Sequence, residues 1–408
     1  GVAWLALGAL LFELGLRDLP KHLRWFSYVV SKLGALHVLW FHVVLVHKGS
    51  GRVEWVCLAI ASAISYATSA RVFRTERIGE RERGWVRDGF AAAGIVFGMT
   101  LGWLVLPAPI VALAWAAMSL VVLELGFECS LVRFRAMGNV IAAAAFTRLF
   151  LANFTDLGDT LHVSHRVFTV VPVLLSEYYV WRRYRDIQTA AWERAWVRLY
   201  LYAPAVLAVV LIRFELGRSL AVVGWALVGL ALYREGLRRA IADLRWQSYA
   251  IAILAFWRAW NTNFYIPDSL GGIRARVLTG AFVIACLYCA QLISPRQAIE
   301  RYARTFYSLL ASVLLAALLF YEVSGGVLTV AWGLEGLALL GVGFPLRDRM
   351  QRLSGLFLFL VCVLKLFLYD LRQLETVNRI ISFIVLGVIL VGVSWMYTRF
   401  RDRIQRYL

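Results

Sequence analysis

The chain has 408 residues, 61% of them hydrophobic and 17% charged, with a formal net charge of +18; its mean hydropathy is +0.71. These values place it among integral membrane proteins, and no segment is long or polar enough to form a separate soluble domain. The arginine surplus then reads as loop charge on the cytoplasmic side, and with no basic soluble domain or stacking platform a nucleic-acid partner is excluded.

The chain opens Gly1-Val2-Ala3-Trp4, already inside an apolar stretch and without methionine, which reads as a cut within a longer polypeptide whose N-terminal part is missing. A span needs about 20 mostly apolar residues, and such stretches follow one another along nearly the whole chain. They predict helices near 1–16, 24–46, 53–72 and 85–106, then 108–127, 130–152, 165–184 and 195–213. Further helices are predicted at 218–235, 243–263, 275–294 and 302–322, and finally at 326–344, 351–369 and 378–397. The expected fold is all-α integral membrane, with about 15 transmembrane helices.

Trp4, Trp115, Trp225 and Trp332 each head one group of segments. Eleven residues after each comes Gly15, Gly126, Gly236 or Gly343, and twenty after each comes Arg24, Arg135, Arg245 or Arg352. At twenty-three stand Ser27, Gly138, Ser248 and Gly355; at thirty-three, His37, Arg148, Arg258 and Lys365; at thirty-eight, His42, Asn153, Asn263 and Asp370. Five offsets held in register four times indicate tandem four-helix repeats of roughly 110 residues. The units of this single membrane domain run near 1–111, 112–221, 222–328 and 329–408, the last truncated after three segments.

Loop charge sets the expected orientation. Loops after the first segment of each unit are basic (Arg17, Lys21; Arg133, Arg135; Arg238, Arg239; Arg347, Arg349, Arg352), as are those after the third (Arg71 to Arg83; Arg182, Arg183, Arg185). The loops between second and third segments hold Asp156, Asp159, Asp268 and Glu375. By the positive-inside rule the basic loops and the C-terminus are cytoplasmic. Much of the repeated pattern reads as fold maintenance. The glycines at offset eleven fit C-terminal helix caps, and the arginines at offset twenty fit snorkelling to headgroups. The Ser/Gly positions fit close helix approach, and Glu82-Arg83, Glu193-Arg194 and Glu300-Arg301 look like interfacial charge pairs.

Offset thirty-three stands out. It lies about 13 residues, or roughly 20 Å, into the second helix, past the midplane on the outer side. A cation there costs several kcal/mol unless it snorkels or finds a partner. The candidate anion or lipid site is therefore Arg148, Asn153 and Arg166 in the second unit, Arg258, Asn263 and Arg276 in the third, and Lys365, Asp370 and Arg379 in the last, with Arg52 the counterpart in the first. Guanidinium groups suit phosphate bidentately. The competing reading has each cation capping a helix or pairing with a carboxylate such as Asp370 or Glu177. In the first unit His37 and His42 replace the cation and amide; with His47 they form a trio that could ligate haem, but no second helix supplies a facing histidine.

No cofactor or metal is expected. Cys286-Leu-Tyr-Cys289 lies mid-span without a partner pair, whereas zinc needs four ligands, and the remaining cysteines (Cys57, Cys129, Cys362) add no motif. There is no G-x-S-x-G, H-E-x-x-H or P-loop. The membrane acids Glu13, Glu124, Glu177 and Glu335 do not recur at one offset, which argues against a proton relay, and most prolines flank spans rather than breaking helices.

Lys365-Leu-Phe-Leu-Tyr-Asp370-Leu, Arg379-Ile-Ile-Ser-Phe-Ile-Val-Leu-Gly387, Trp395-Met-Tyr397 and Trp332-Gly-Leu-Glu335-Gly-Leu resemble the C-terminal signature of a bacterial polytopic family. It is catalogued as a predicted membrane protein, domain of unknown function 2339. The close match spans roughly residues 329–400, with weaker echoes before it. The resemblance implies a many-spanned bacterial inner-membrane protein and brings no established activity. The expected function is a non-enzymatic scaffold or subunit of an envelope assembly, holding anionic lipid or polymer at the outer leaflet, with membrane lipids and other membrane subunits as partners. The alternatives are a transporter or flippase for an anionic envelope precursor and, third, an integral-membrane transferase.

Overall fold

The computed structural model describes residues 1–17, 22–41, 52–155, 158–160, 163–187, 189–270, 272–295, 301–324, 326–346, 348–366 and 376–399. Among them are fifteen α-helices: α1 (Val2–Leu16), α2 (His22–Trp40), α3 (Arg52–Arg74), α4 (Glu80–Val105), α5 (Ala108–Glu128), α6 (Val132–Arg148), α7 (His165–Arg185), α8 (Glu193–Glu215), α9 (Gly217–Arg238), α10 (Ala242–Asn261), α11 (Ala275–Ile293), α12 (Arg301–Glu322), α13 (Gly326–Gly343), α14 (Arg349–Lys365) and α15 (Thr376–Arg399). Two short antiparallel hairpins precede α7 and α11: β1 (Asp159–Thr160) with β2 (Val163–Ser164), and β3 (Ser269–Leu270) with β4 (Ile273–Arg274). Helices dominate because a bilayer offers no partner to a bare amide, so each segment must satisfy its own backbone.

Among the described residues, eight helices are long and apolar enough to cross a membrane: α3, α4, α5, α6 with the turn after it, α8, α9, α11 and α12. About fifteen spans were expected, and the difference is one of charge and length. The 21 residues of α7 include Arg166, Glu177, Arg182, Arg183 and Arg185, and α10 carries Asp243, Arg245 and Arg258. The described parts of α1 and α13 are apolar but shorter.

The chain divides into two compact units, 1–207 and 208–408, with the boundary inside α8. In the first, α1 packs on α2 and α3, α3 on α4, and α5 on α6 and α7. In the second, α9 packs on α10 and α11, α11 on α12, and α13 on α14 and α15. Large apolar side chains also point outward, as in α2, where Trp25, Phe26, Val29, Leu33, Leu36 and Trp40 are all exposed. Their three- and four-residue spacing makes one continuous stripe, which suits hydrocarbon as solvent.

Small residues set the closest helix contacts. Ser27 of α2 donates to the Gly8 carbonyl of α1 at 2.7 Å, and Ser248 of α10 to Gly229 of α9 at 2.6 Å. Between α5 and α6 the arrangement is inverted: Ser119 on the first helix donates to Gly138 on the second at 2.8 Å. The hydroxyl has changed helices while the bond has stayed. Trp115, Trp225 and Trp332 donate their indole N–H to the carbonyls of Met99, Val209 and Ala316, at 3.1, 2.8 and 2.9 Å, each acceptor sixteen residues earlier.

The offset-eleven glycines are not left-handed caps. After α5 and α9 the left-handed residues are instead Ser130 and Ala240, both at φ 54°. Leu131 and Ile241 then donate to the carbonyls of Gly126 and Gly236, at 2.9 and 3.0 Å, while Ser130 and Ala240 donate to Phe127 and Leu237, both at 3.3 Å. That is the Schellman pattern, with glycine three positions before the cap residue. Glycine is needed for a different reason. A β-carbon on Gly15, Gly126, Gly236 or Gly343 would lie 2.5, 2.7, 2.8 or 2.7 Å from Cγ of Arg24, Arg135, Arg245 or Arg352. The arginine stem crosses the neighbouring helix at that bare position.

The arginines themselves also depart from the snorkelling expectation. Arg135 is buried, and its Nε donates to the fully buried Glu193 at 2.7 Å. Glu193 also accepts the Ala190 amide at 2.7 Å. Arg24 lies 3.5 Å from Glu82, and Tyr28 donates to the same carboxylate at 2.7 Å. Glu82 and Glu193 therefore serve arginines 58 residues earlier rather than the arginine beside them.

Candidate functional site

The cations at offset thirty-three occupy the last turns of α6, α10 and α14. A helix C-terminus favours positive charge, which offsets part of the desolvation cost. Beyond Arg148 the backbone widens into a π turn over Leu149–Asn153, and beyond α10 it tightens into a 3-10 turn at Asn263–Tyr265. Both turns deliver an asparagine into the protein: Asn153 and Asn263 are each 1% exposed.

Each asparagine joins three elements. The Asn153 amide donates to the Pro109 carbonyl in the first turn of α5, at 2.6 Å, and to Thr169 Oγ1 of α7 at 3.0 Å. The Asn263 amide donates to the Ser219 carbonyl of α9, at 2.8 Å, and to Thr279 Oγ1 of α11 at 3.2 Å. The threonine hydroxyls pass their own protons to backbone, Thr169 to His165 at 2.7 Å and Thr279 to Ala275 at 2.8 Å.

The cations reach the same helix starts. Arg148 Nη2 donates to the Ala108 carbonyl at 3.4 Å, and Arg258 Nη2 to the Arg218 carbonyl at 2.8 Å. The Arg258 guanidinium also lies 5.3 Å from the Trp225 ring centroid, a cation–π contact that strengthens where water is scarce. Lys365 Nζ donates to Thr329 Oγ1 of α13 at 2.9 Å. Each of these contacts is to neutral oxygen or an aromatic face. Buried Nε of Arg148 and Arg258, and buried Oδ1 of Asn153 and Asn263, have no hydrogen-bond partner among the described residues.

The remaining candidates divide. Arg276 pairs with Glu322 and donates to the Phe264 carbonyl at 3.4 Å, while Arg274 reaches the same Glu322 at 2.9 Å. Arg166 is half-buried in the first turn of α7 and engaged within the protein. Arg379 opens α15 and Arg52 opens α3, but their side chains lie outside the described residues, as do Asp370, His42 and His47. His37 is exposed, 6.0 Å from Trp4 between ring centroids. Glu177, weighed as a partner for these cations, has no partner for its buried Oε2 among the described residues.

Within residues 1–207 the structure thus gathers Arg148, Asn153 and the start of α5, and within residues 208–408 Arg258, Asn263, Trp225 and the start of α9. Sequence reasoning missed Thr169 and Thr279. Both stand fifty-four residues after their tryptophan, where the other two groups have Leu58 and Leu386. Threonine occurs where asparagine does, and that pairing was the available signal. Two small cavities lie elsewhere, each with room for about one water. One is lined by Ser119, Ser176, Glu177, Tyr200 and apolar neighbours, the other by apolar residues and Tyr307.

No curated protein and no solved structure matches the chain. A family model described as "Predicted membrane protein (DUF2339)" matches residues 2–400, well beyond the C-terminal stretch that carried the resemblance. The protein is a multi-span membrane protein of unknown function and belongs to this family.

Proposed function

We propose that the protein is a non-enzymatic scaffold of a bacterial inner membrane, built from tandem four-helix units with the basic loops and C-terminus cytoplasmic. In this reading it is a subunit of an envelope assembly that keeps anionic lipid or polymer at the outer leaflet. One observation carries the scaffold reading: Arg148, Arg258 and Lys365 each spend a donor on the first turns of the adjacent α5, α9 or α13. The cations tie helix ends together, as a frame requires. The lipid component rests on what is left over, because a guanidinium has five N–H donors and the hydrogen bonds of Arg148 and Arg258 to the described residues use one each.

Native mass spectrometry of the membrane-extracted protein tests both components. The expected result is co-purifying membrane subunits plus retained anionic lipid, with lipid reduced in Arg258→Gln and Lys365→Gln. Unchanged lipid in the two variants refutes the lipid component. A chain that extracts alone from its native membrane refutes the scaffold.

A further inference from the structure

We propose that Glu177, with the hydroxyl oxygens of Ser119, Ser176 and Tyr200, forms a binding site for one dehydrated sodium ion. The site lies wholly within residues 1–207 and stands independently of the scaffold reading. Glu177 is on α7, twelve residues after its first residue, or roughly 18 Å along the helix. It is 5% exposed, and its buried Oε2 has no hydrogen-bond partner among the described residues. An ionised carboxylate held this way in a membrane protein costs several kcal/mol unless a counter-charge or proton reaches it.

The cavity beside it supplies the rest of the argument. Its lining joins Glu177 to Ser119, Ser176 and Tyr200 among alanine, valine and leucine side chains. Each hydroxyl has one hydrogen and two lone pairs, and all three hydrogens are already committed. Ser119 donates to the Gly138 carbonyl at 2.8 Å, Ser176 to the Val173 carbonyl at 2.7 Å, and Tyr200 to Asn139 Oδ1 at 2.9 Å. What these groups have left is lone pairs, and the apolar side chains add no donor. An anion has nothing to bind there. Water fits the space but leaves the carboxylate charge uncompensated, whereas a cation supplies both electrostatic and coordination partners.

The identity of the cation follows from charge, ligand type and room. A single carboxylate balances one positive charge. All four ligands are hard oxygen donors, which suit alkali and alkaline-earth ions over transition metals. Calcium takes six to eight oxygens and magnesium keeps several waters, and a space for about one water holds neither arrangement. Sodium stripped of its hydration shell meets all three conditions.

Carbodiimide labelling of the purified full chain, mapped by mass spectrometry, tests the site because the reagent attacks accessible carboxyl groups and a bound cation shields them. Labelling of Glu177 is compared in sodium and in choline at equal ionic strength, with thermal unfolding followed in parallel. At sodium about ten times its dissociation constant the free fraction falls about tenfold, so labelling slows by that factor and the unfolding temperature rises. Glu335 is the internal reference: it is 6% exposed and both carboxyl oxygens lack hydrogen-bond partners among the described residues, yet it lines neither cavity, so its labelling is indifferent to sodium. Glu177→Gln abolishes the thermal response, and Ser176→Ala weakens it. Equal labelling of Glu177 in both salts with no thermal shift means that a proton alone neutralises the carboxyl, which overturns the proposal. If Glu177 is unlabelled in both salts, the wild-type thermal response decides in the same two directions. Should Glu177→Gln fail to fold, the wild-type comparison still decides.

Discussion

At the scale of single residues, several buried polar side chains tie helices to partners far away in sequence. Arg135 and Glu193 form the most enclosed ion pair, at 7% and 0% side-chain exposure. Breaking such a pair from one side strands a buried charge, which costs about 3–5 kcal/mol, while replacing both with apolar residues is often close to neutral. Glu193→Gln is therefore expected to lower chemical-denaturation stability by that amount, and Arg135→Met with Glu193→Leu to recover most of it. A second residue-scale prediction concerns Ala240, held at φ 54°. A non-glycine residue pays about 1 kcal/mol in that conformation, so Ala240→Gly raises the unfolding temperature; a fall would contradict the Schellman assignment.

At the scale of elements, helix pairs depend on where a β-carbon is absent. Gly138 of α6 faces α5 so closely that a β-carbon would sit 2.5 Å from Leu123 Cγ and 3.2 Å from its backbone nitrogen. Gly229 of α9 is different, since a β-carbon there meets Ile251 Cγ2 at an ordinary 3.4 Å. Alanine gains up to about 1 kcal/mol of helix propensity at either site, but overpacking costs about 1–3 kcal/mol. Gly138→Ala is expected to destabilise and Gly229→Ala to be neutral or stabilising, as measured by thermal unfolding in detergent. Equal effects would show that backbone clash is not what limits the α5–α6 approach. The Ser119/Gly138 and Gly229/Ser248 arrangements make the same hydrogen bond from opposite helices. Two positions that look variable singly thus act as one unit.

At the scale of the whole molecule, the dominant surface is apolar. Trp25, Trp40, Trp246, Trp257 and Trp395 are 59%, 65%, 65%, 64% and 59% exposed, whereas Trp181 and Trp225 are 4% and 6% exposed. Tryptophan concentrates where lipid chains meet headgroups, so reconstitution into chain-brominated lipid should quench roughly half of the tryptophan fluorescence. Phe substitutions at Trp25, Trp40, Trp246, Trp257 and Trp395 would remove a large part of the quenched component, and substitution of Trp225 would remove little. Quenching undiminished by loss of these five, the most exposed of the ten exposed tryptophans among the described residues, would place the lipid boundary elsewhere.

The sequence alone determined the helices closely. Expected segments such as 108–127, 165–184 and 275–294 became Ala108–Glu128, His165–Arg185 and Ala275–Ile293, because an apolar run closed by charged or turn residues satisfies its own backbone without long-range help. The candidate site was legible as Arg148 with Asn153 and Arg258 with Asn263, since polar residues recurring inside apolar segments are conspicuous. Their partners were not: Pro109 and Ser219 contribute backbone carbonyls, which every residue possesses and no side-chain pattern marks. Tertiary structure likewise decided that Glu193 serves Arg135 and not the adjacent Arg194, and that Glu177 shares the lining of one cavity with Ser119, Ser176 and Tyr200. A hydrogen bond or ion pair depends on distances of a few ångströms between segments some 60 residues apart, and those distances exist only once the helices have packed.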